Sequence, residues 1–428
     1  MTHTHDPSSW SLDRRQLLVA SGAAAGISWL TPVARLLADE AERLPSGQPA
    51  QSIVVLWMAG GPSQLETFDP HPGTAIGGQT KAIRTAAADI QLADGLERTA
   101  ERMQSLSLVR SLTSKEGDHQ RGTYLMKTGY RPDPTVVHPS IGAIVCKELP
   151  IGQTDIPRHV AILPGSWYPR GGYLGDQYDA FKAYDPVGPV PDVSERVPDE
   201  RGRQRRADLA VVERSFARGR ERRVAATLHD DTVRRAERMM TSDQLQAFDV
   251  SHETAETRGR YGATPFGRGC LAARRLIERG VRCVEVTLDG WDTHANNHEL
   301  CRKNKAILDP ALAALVGDLQ ERGLWQRTIV LCGGEFGRTP TINPVGGRDH
   351  WPHGFSVAIG GGGLRGGAVV GATDPAGGRE VHDPRQVGDL HATILAALGI
   401  DPAKQIITPI GRPLKLADGK AMRELLKS

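Results

Sequence analysis

Ser52-Ile53-Val54-Val55-Leu56-Trp57-Met58 runs directly into Ala59-Gly60-Gly61-Pro62. A nearly continuous apolar run of this length, without alternation, predicts a strand buried on both faces, and the glycines and proline behind it predict a tight loop at its carboxyl end. Similar runs recur at Arg158 to Leu163, Val281 to Leu288, Thr328 to Cys332 and Phe355 to Ile359. Segments with apolar residues at three- and four-residue spacing lie between several of them, predicting helices at Arg121 to Thr128, Ser140 to Leu149, Pro265 to Arg279, Asn297 to Arg322 and Val387 to Leu398. Alternation of buried strands and helices predicts an α/β fold, a three-layer sandwich whose central sheet is mostly parallel and covered by helices on both faces.

The flanks and composition set the organisation. Arg14-Arg15 precede Leu17 to Leu30, which is rich in Ala and Gly, and Ala38-Asp39 offers a cleavage point. Residues 1–38 therefore predict a twin-arginine export signal, 39–51 a linker, and 52–428 one domain. The apolar run is shorter than the ~18 residues of a spanning helix, so no stable membrane span is expected after signal removal. Export predicts a periplasmic or extracellular location. From about 191 to 261 the chain turns Arg- and Glu-rich, with Arg203, Arg205, Arg206, Arg214, Arg218, Arg220, Arg222 and Arg223 among acids, predicting an inserted helical arm. A net charge of +3 with its basic residues interleaved with acids disfavours nucleic acid as a partner. Five cysteines without a C-x-x-C pair read as small buried hydrophobes. With 48 glycines and 28 prolines the chain predicts long, shaped loops, where sites commonly sit.

Three loops concentrate metal-capable side chains. Behind the strand ending at Leu288 comes Asp289-Gly290-Trp291-Asp292-Thr293-His294, with His298 four residues on; behind Cys332 comes Gly333-Gly334-Glu335-Phe336-Gly337-Arg338; and Gly347-Arg348-Asp349-His350-Trp351-Pro352-His353 follows. Ligands in open α/β sheets bind beyond the carboxyl ends of strands. Asp289, Asp292, His294, Glu335, Asp349, His350 and His353 are thus expected metal ligands. Imidazole and carboxylate suit zinc or manganese, and carboxylates alone suit calcium or magnesium. Arg338 is expected to hold an anion through its planar fork, or else to pair with Glu335 or Asp349. Asp118-His119-Gln120-Arg121, at a predicted helix start, adds His119 as general acid/base or ligand and Arg121 as an anion-orienting group. Gly361-x-Gly363-x-x-Gly366 is followed by a strand-like run and is no dinucleotide fingerprint.

Together these motifs, with Tyr124 to Tyr130 and Asp389 to Ile394, resemble the bacterial domain-of-unknown-function family 1501, over nearly all of the chain after the signal. That family is grouped with the alkaline phosphatase-like superfamily, whose members hydrolyse phosphate or sulfate esters with a metal-bound Ser, Thr or formylglycine nucleophile. Arg121 to Tyr130 and Asp389 to Gly399 are similar to two sulfatase helices. The chain departs where that nucleophile is expected, at or near His119, and has no Cys-x-Pro-x-Arg or Ser-x-Pro-x-Arg. It also lacks an Asp directly behind the first strand, and carries Glu335-Phe336 where Asp-His or Asp-Asn is usual. The resemblance implies a metal-dependent hydrolase acting on a sulfated or phosphorylated small molecule or glycan. The alternative is an exported glycan- or protein-binding protein that keeps the fold without catalysis.

Overall fold

A computed structural model describes residues 49–194, 197–220, 229–374 and 381–427. The expected export signal and most of the expected linker lie outside the described residues, as do Arg222 and Arg223. The central sheet contains β1 (Ser52–Met58), β2 (Leu106–Thr113), β3 (His159–Ile162), β4 (Phe181–Ala183), β5 (Cys283–Leu288), β6 (Thr328–Gly333), β7 (Phe355–Gly361), β8 (Val369–Val370) and β9 (Arg385–Gln386). Its order is β8-β2-β7-β6-β1-β5-β3-β4, with β9 also on β2. β1 lies between β5 and β6, parallel to both, with Met58 beside Leu288 and Trp57 beside Gly333. Only β7 runs against its neighbours, antiparallel to both β6 and β2.

Helices cover both faces. β1 shows why: Val54, Leu56 and Met58 pack into one apolar core and Ile53, Val55 and Trp57 into the other. The first core includes Cys270, Leu271 and Leu276 of the helix Pro265–Glu278 and Leu308, Leu312 and Leu315 of the helix Asn297–Glu321. The second takes Leu125 and Met126 of α1 (His119–Thr128), Ile141, Ile144 and Val145 of α2 (Ile141–Glu148) and Leu390, Ile394 and Leu395 of the helix Val387–Ala397. Each strand residue thus meets a helix on whichever side it points, so no polar alternation survives in the strand sequence. The fold is an α/β three-layer sandwich. All five cysteines are buried and free.

Two features differ from the sequence expectation. Leu106–Thr113 is an eight-residue central strand that apolar continuity did not mark, because Ser107, Arg110 and Ser111 interrupt it. Ser107 Oγ spends its proton on the Arg365 carbonyl at 2.9 Å, and Arg110 Nε donates to the Phe68 carbonyl at 2.9 Å, so these polar side chains are accommodated by bonding. β7, read only as a strand, is the antiparallel one, and its start therefore joins the carboxyl ends of the parallel strands. Between 191 and 261 lie α3 (Asp199–Ala217), α4 (His229–Thr241) and α5 (Ala255–Tyr261). Among the described residues no helix is long and apolar enough to cross a membrane.

Candidate metal centre

One edge of the sheet collects five chain segments. β1 ends into Ala59-Gly60, β5 into Asp289–Asn296, β6 into Gly334–Arg338, β2 into Ser114–Asp118 and so into α1, and the segment before β7 carries His350. Gly60 has φ +112°, and a Cβ there would lie 2.4 Å from the Asp292 amide nitrogen. Only glycine lets the β1 and β5 loops touch at this point. Gly337–Arg338 pairs antiparallel with His350–Trp351, setting His350 opposite Arg338. Asp118 caps α1 by accepting from the Arg121 amide at 3.0 Å, which fixes His119 in the first helical turn.

At the centre stands Asp292, with three imidazoles around it. His119 Nε2 lies 3.3 Å from Asp292 Oδ2, while His294 Nε2 and His350 Nε2 lie 3.1 Å and 3.4 Å from Oδ1. The far nitrogen of each ring is anchored. Nδ1 of His350 lies 2.7 Å from the Gly117 carbonyl, Nδ1 of His294 lies 2.8 Å from Asp349 Oδ1, and Nδ1 of His119 lies 2.7 Å from Glu335 Oε1. That Glu335 oxygen already accepts from the Gly60 amide at 3.0 Å. A carbonyl and carboxylates only accept, so all three rings carry a proton on Nδ1, and in its neutral form each turns its Nε2 lone pair inward.

The inward side chains are of the types that could hold a cation. The Nε2 atoms of His294 and His350 are 2.9 Å apart, two acceptors facing each other with no proton between them in these tautomers. His119 Nε2 and Glu335 Oε2 are buried with no hydrogen-bond partner. Buried acceptors left unpaired are costly, and a divalent ion placed among His119, Asp292 and His350 would give the His119 nitrogen a partner. Ligand atoms of His119, Asp292 and His350 lie within 4.8 Å of one another. Imidazoles whose Nδ1–H is held by a carboxylate or carbonyl are the usual outer support of metal ligands.

Electrostatics follow the same contacts. The hydrogen bond from His119 to Glu335 raises that imidazole's pKa above its ordinary value, against the lowering effect of burial. Burial pushes Asp292 up, but the hydrogen bond and charge of Arg338 outweigh it and hold the carboxylate below its usual range. The bond to His294 lowers Asp349, and burial lowers His350.

Several expected site residues have other work. Arg338 is fully buried and donates from Nε to the Gly61 carbonyl, from Nη1 to the Arg348 carbonyl, and from Nη2 to the Gly60 carbonyl and Asp292 Oδ1. It holds Asp292 and three carbonyls of two backbone segments and has at most one N–H left, so its donors are taken up inside the protein. Arg121 pairs with Glu116, Nε to Oε2 at 2.6 Å, on the solvent side of α1. Asp289 is exposed, accepts from the adjacent Gly290 amide, and lines the cleft beside the cluster. Asp349 reaches the cluster through His294. His353 is exposed, edge-on to Trp351 at 5.0 Å. The helix behind β5 starts at Asn297, so His298 does not share a face with His294 but turns to Glu66 and Thr80.

Residues that carry no pattern in the sequence position the site. Gln64 donates to the Arg338 carbonyl and accepts from its amide, both at 2.9 Å. Arg348, fully buried, donates to Glu66 Oε1 at 2.8 Å across 282 positions of chain. This pair fastens the loop that brings Asp349 and His350 back to the sheet edge. Beside the cluster opens a cleft of about 580 Å³, lined among others by His119, Thr123, Lys127, Trp167, Phe266, Asp289, Asp292 and Glu335.

A family model described as "Protein of unknown function (DUF1501)" matches residues 50–426. No curated protein matches the chain in sequence. Among solved structures, it is similar to the lipoteichoic acid synthase LtaP from Listeria monocytogenes at 10% identity, covering 85% of this chain and 76% of that one with a TM-score of 0.39. It is similar to alkaline phosphatase from the Antarctic bacterium TAB5 at 13% identity, covering 82% and 99% with a TM-score of 0.35. With the PsFucS1 sulfatase from Pseudoalteromonas sp. the figures are 11% identity, 86% and 70% coverage and a TM-score of 0.33.

Proposed function

This chain belongs to the family of unknown function DUF1501, and we propose that it is a metal-dependent hydrolase of sulfate or phosphate esters. The observation that carries the proposal is the convergence on Asp292 of three imidazoles whose Nδ1 atoms are all anchored outward. His119, Asp292, His294 and His350 hold the ion, with Glu335 Oε2 as the further carboxylate donor. An imidazole-rich set of this kind favours zinc or manganese over calcium or magnesium. The choice of sulfate or phosphate rests on the sulfatase-like motifs of α1 and of the helix Val387–Ala397. Export by the twin-arginine route, and one domain from residue 52 with a helical insertion, belong to the same proposal.

A bound divalent ion supplies charge neutralisation at the ester oxygens and acidifies water. The chain's own residues fix where this happens. Asp292 sets Oδ1 beside the His294 and His350 rings and Oδ2 beside His119, and Arg338 locks its rotamer. Glu335 and Asp349 keep their imidazoles in the donating tautomer. Water is the nucleophile, because His119 occupies the position where the sulfatase-like spacing places a side-chain nucleophile, and Ser63, behind β1, is fully buried.

The test is metal analysis of the purified protein together with turnover of aryl sulfates and aryl phosphates. Wild type is expected to retain a divalent ion and hydrolyse one ester class; Asp292→Ala and His350→Ala are expected to lose both properties. Failure of wild type to bind zinc or manganese overturns the proposal. Bound metal without turnover of any ester favours the non-catalytic glycan- or protein-binding alternative.

A further inference from the structure

The cleft beside the cluster is charged in an uneven way. One wall is α1, where His119, Thr123 and Lys127 recur every four residues and so share a face, about 12 Å long at 1.5 Å per residue. The carboxylates lining the cleft are Asp289, Asp292 and Glu335. Its basic side chains, among the described residues, are Lys127 and His119, and both are engaged. Lys127 Nζ donates to the buried Glu285 carboxylate at 2.7 Å and to the Trp167 carbonyl at 2.8 Å. His119 is held between Glu335 and Asp292. Away from the cluster, then, the cleft offers an anion no free cation and presents the exposed Asp289 carboxylate.

The other feature is Trp167. The residue is 45% exposed where it lines the cleft, and its backbone carbonyl accepts from Lys127 Nζ. An indole left partly open at the mouth of a cleft offers a flat apolar platform. The rest of the lining mixes apolar side chains such as Leu163, Phe266 and Ile307 with the uncharged hydroxyls of Thr123, Ser166, Thr264 and Thr287. Flat apolar face plus neutral hydroxyls matches the two surfaces of a sugar ring.

We infer that the cleft takes a monoanionic ester, its single negative charge at the cluster and its remaining body an uncharged hexose ring seated against Trp167. The placement of the ester rests on the metal-hydrolase proposal; the exclusion of a second anion rests on the cleft alone. A second sulfate or phosphate on the ring would lose water among carboxylates without gaining a partner, which rejects polyanionic chains.

Calorimetric titration of the zinc-loaded protein tests this, using methyl 6-deoxy-6-sulfoglucoside, whose C–S bond resists hydrolysis, the same sugar bearing a second sulfate on O4, and inorganic sulfate. The monoanionic sugar is expected to bind roughly tenfold tighter than the dianionic one. Trp167→Ala is expected to weaken the monoanionic sugar about fivefold and leave inorganic sulfate unchanged. Equal or tighter binding of the dianion overturns the inference, as does unchanged sugar affinity in Trp167→Ala, or absence of sugar binding by zinc-loaded wild type. Zinc content is measured in parallel: its absence overturns the functional proposal, whereas zinc present with failed sugar binding overturns this inference alone.

Discussion

At the residue scale the site depends on single atoms whose neighbours leave no room for exchange. Gly60 combines a left-handed φ with a backbone approach that a methyl group would enter at 2.4 Å. Gly60→Ala is therefore expected to destabilise the fold by about 2–4 kcal/mol and to displace Asp292, read as a lower urea midpoint together with weaker zinc binding. Asp349 behaves differently. It is exposed, and its contribution is to hold Nδ1–H of His294. Asp349→Ala is expected to weaken zinc binding roughly 10- to 100-fold with little loss of stability, measured by competition with a zinc-binding dye. An unchanged zinc affinity would remove Asp349 from the support of the site. That Asp292 and His294 meet at the candidate site was legible because they follow a buried strand directly; the separation of His298 from them was not, since it depends on the helix beginning only at Asn297.

At the element scale the decisive object is the connection from β6 to β7. It leaves the sheet edge at Gly334, pairs with itself through Gly337–Arg338 and His350–Trp351, and returns carrying two members of the site. Its turn is fixed from outside by the buried Glu66–Arg348 pair. The Arg348 charge and hydrogen bonds keep the Glu66 carboxyl below its usual range although burial, the largest single influence, pushes it up. Glu66→Gln leaves a buried guanidinium short of its counter-charge and is expected to cost about 3–5 kcal/mol. Zinc affinity should fall with it, since His350 rides on the same loop; a stability loss with undiminished zinc affinity would show that the loop holds its shape without the pair. The loop's chemical density was visible in the sequence, but its fastening was not: the partners lie 282 positions apart and neither belongs to a periodic pattern.

At the scale of the whole molecule, burial of neutral imidazoles in the sheet's second core sets a pH limit. His159 and His391 are both lowered to about 4, by burial first, with one ring nitrogen each donating to a backbone carbonyl. Both have ordinary values near 6.5 when unfolded, so between about 6.5 and about 4 the unfolded chain binds more protons than the native one. Their contribution to stability is complete above 6.5 and is lost as pH falls towards 4. Urea midpoints measured in the presence of a chelator, so that the metal site does not contribute, are expected to drop across this window. His391→Gln is expected to flatten that drop; an identical slope in the variant would assign the acid sensitivity elsewhere.

The sequence by itself determined the three-layer α/β class and the sheet edge at which chemistry gathers, because strands buried on both faces must be continuously apolar and their carboxyl ends are where loops are free to carry ligands. It also supplied the candidate side chains of the site. Tertiary structure alone decided which of those side chains meet. Arg338 was eligible as an anion clamp by its type and became the holder of Asp292 once burial and three carbonyls claimed its donors. His119 joined the cluster because β2, a strand interrupted by serines and an arginine, delivers α1 to the same edge. The physical reason is common to both: backbone pattern records local burial and period, whereas the partner of a polar side chain is chosen by whatever the fold brings within hydrogen-bonding reach.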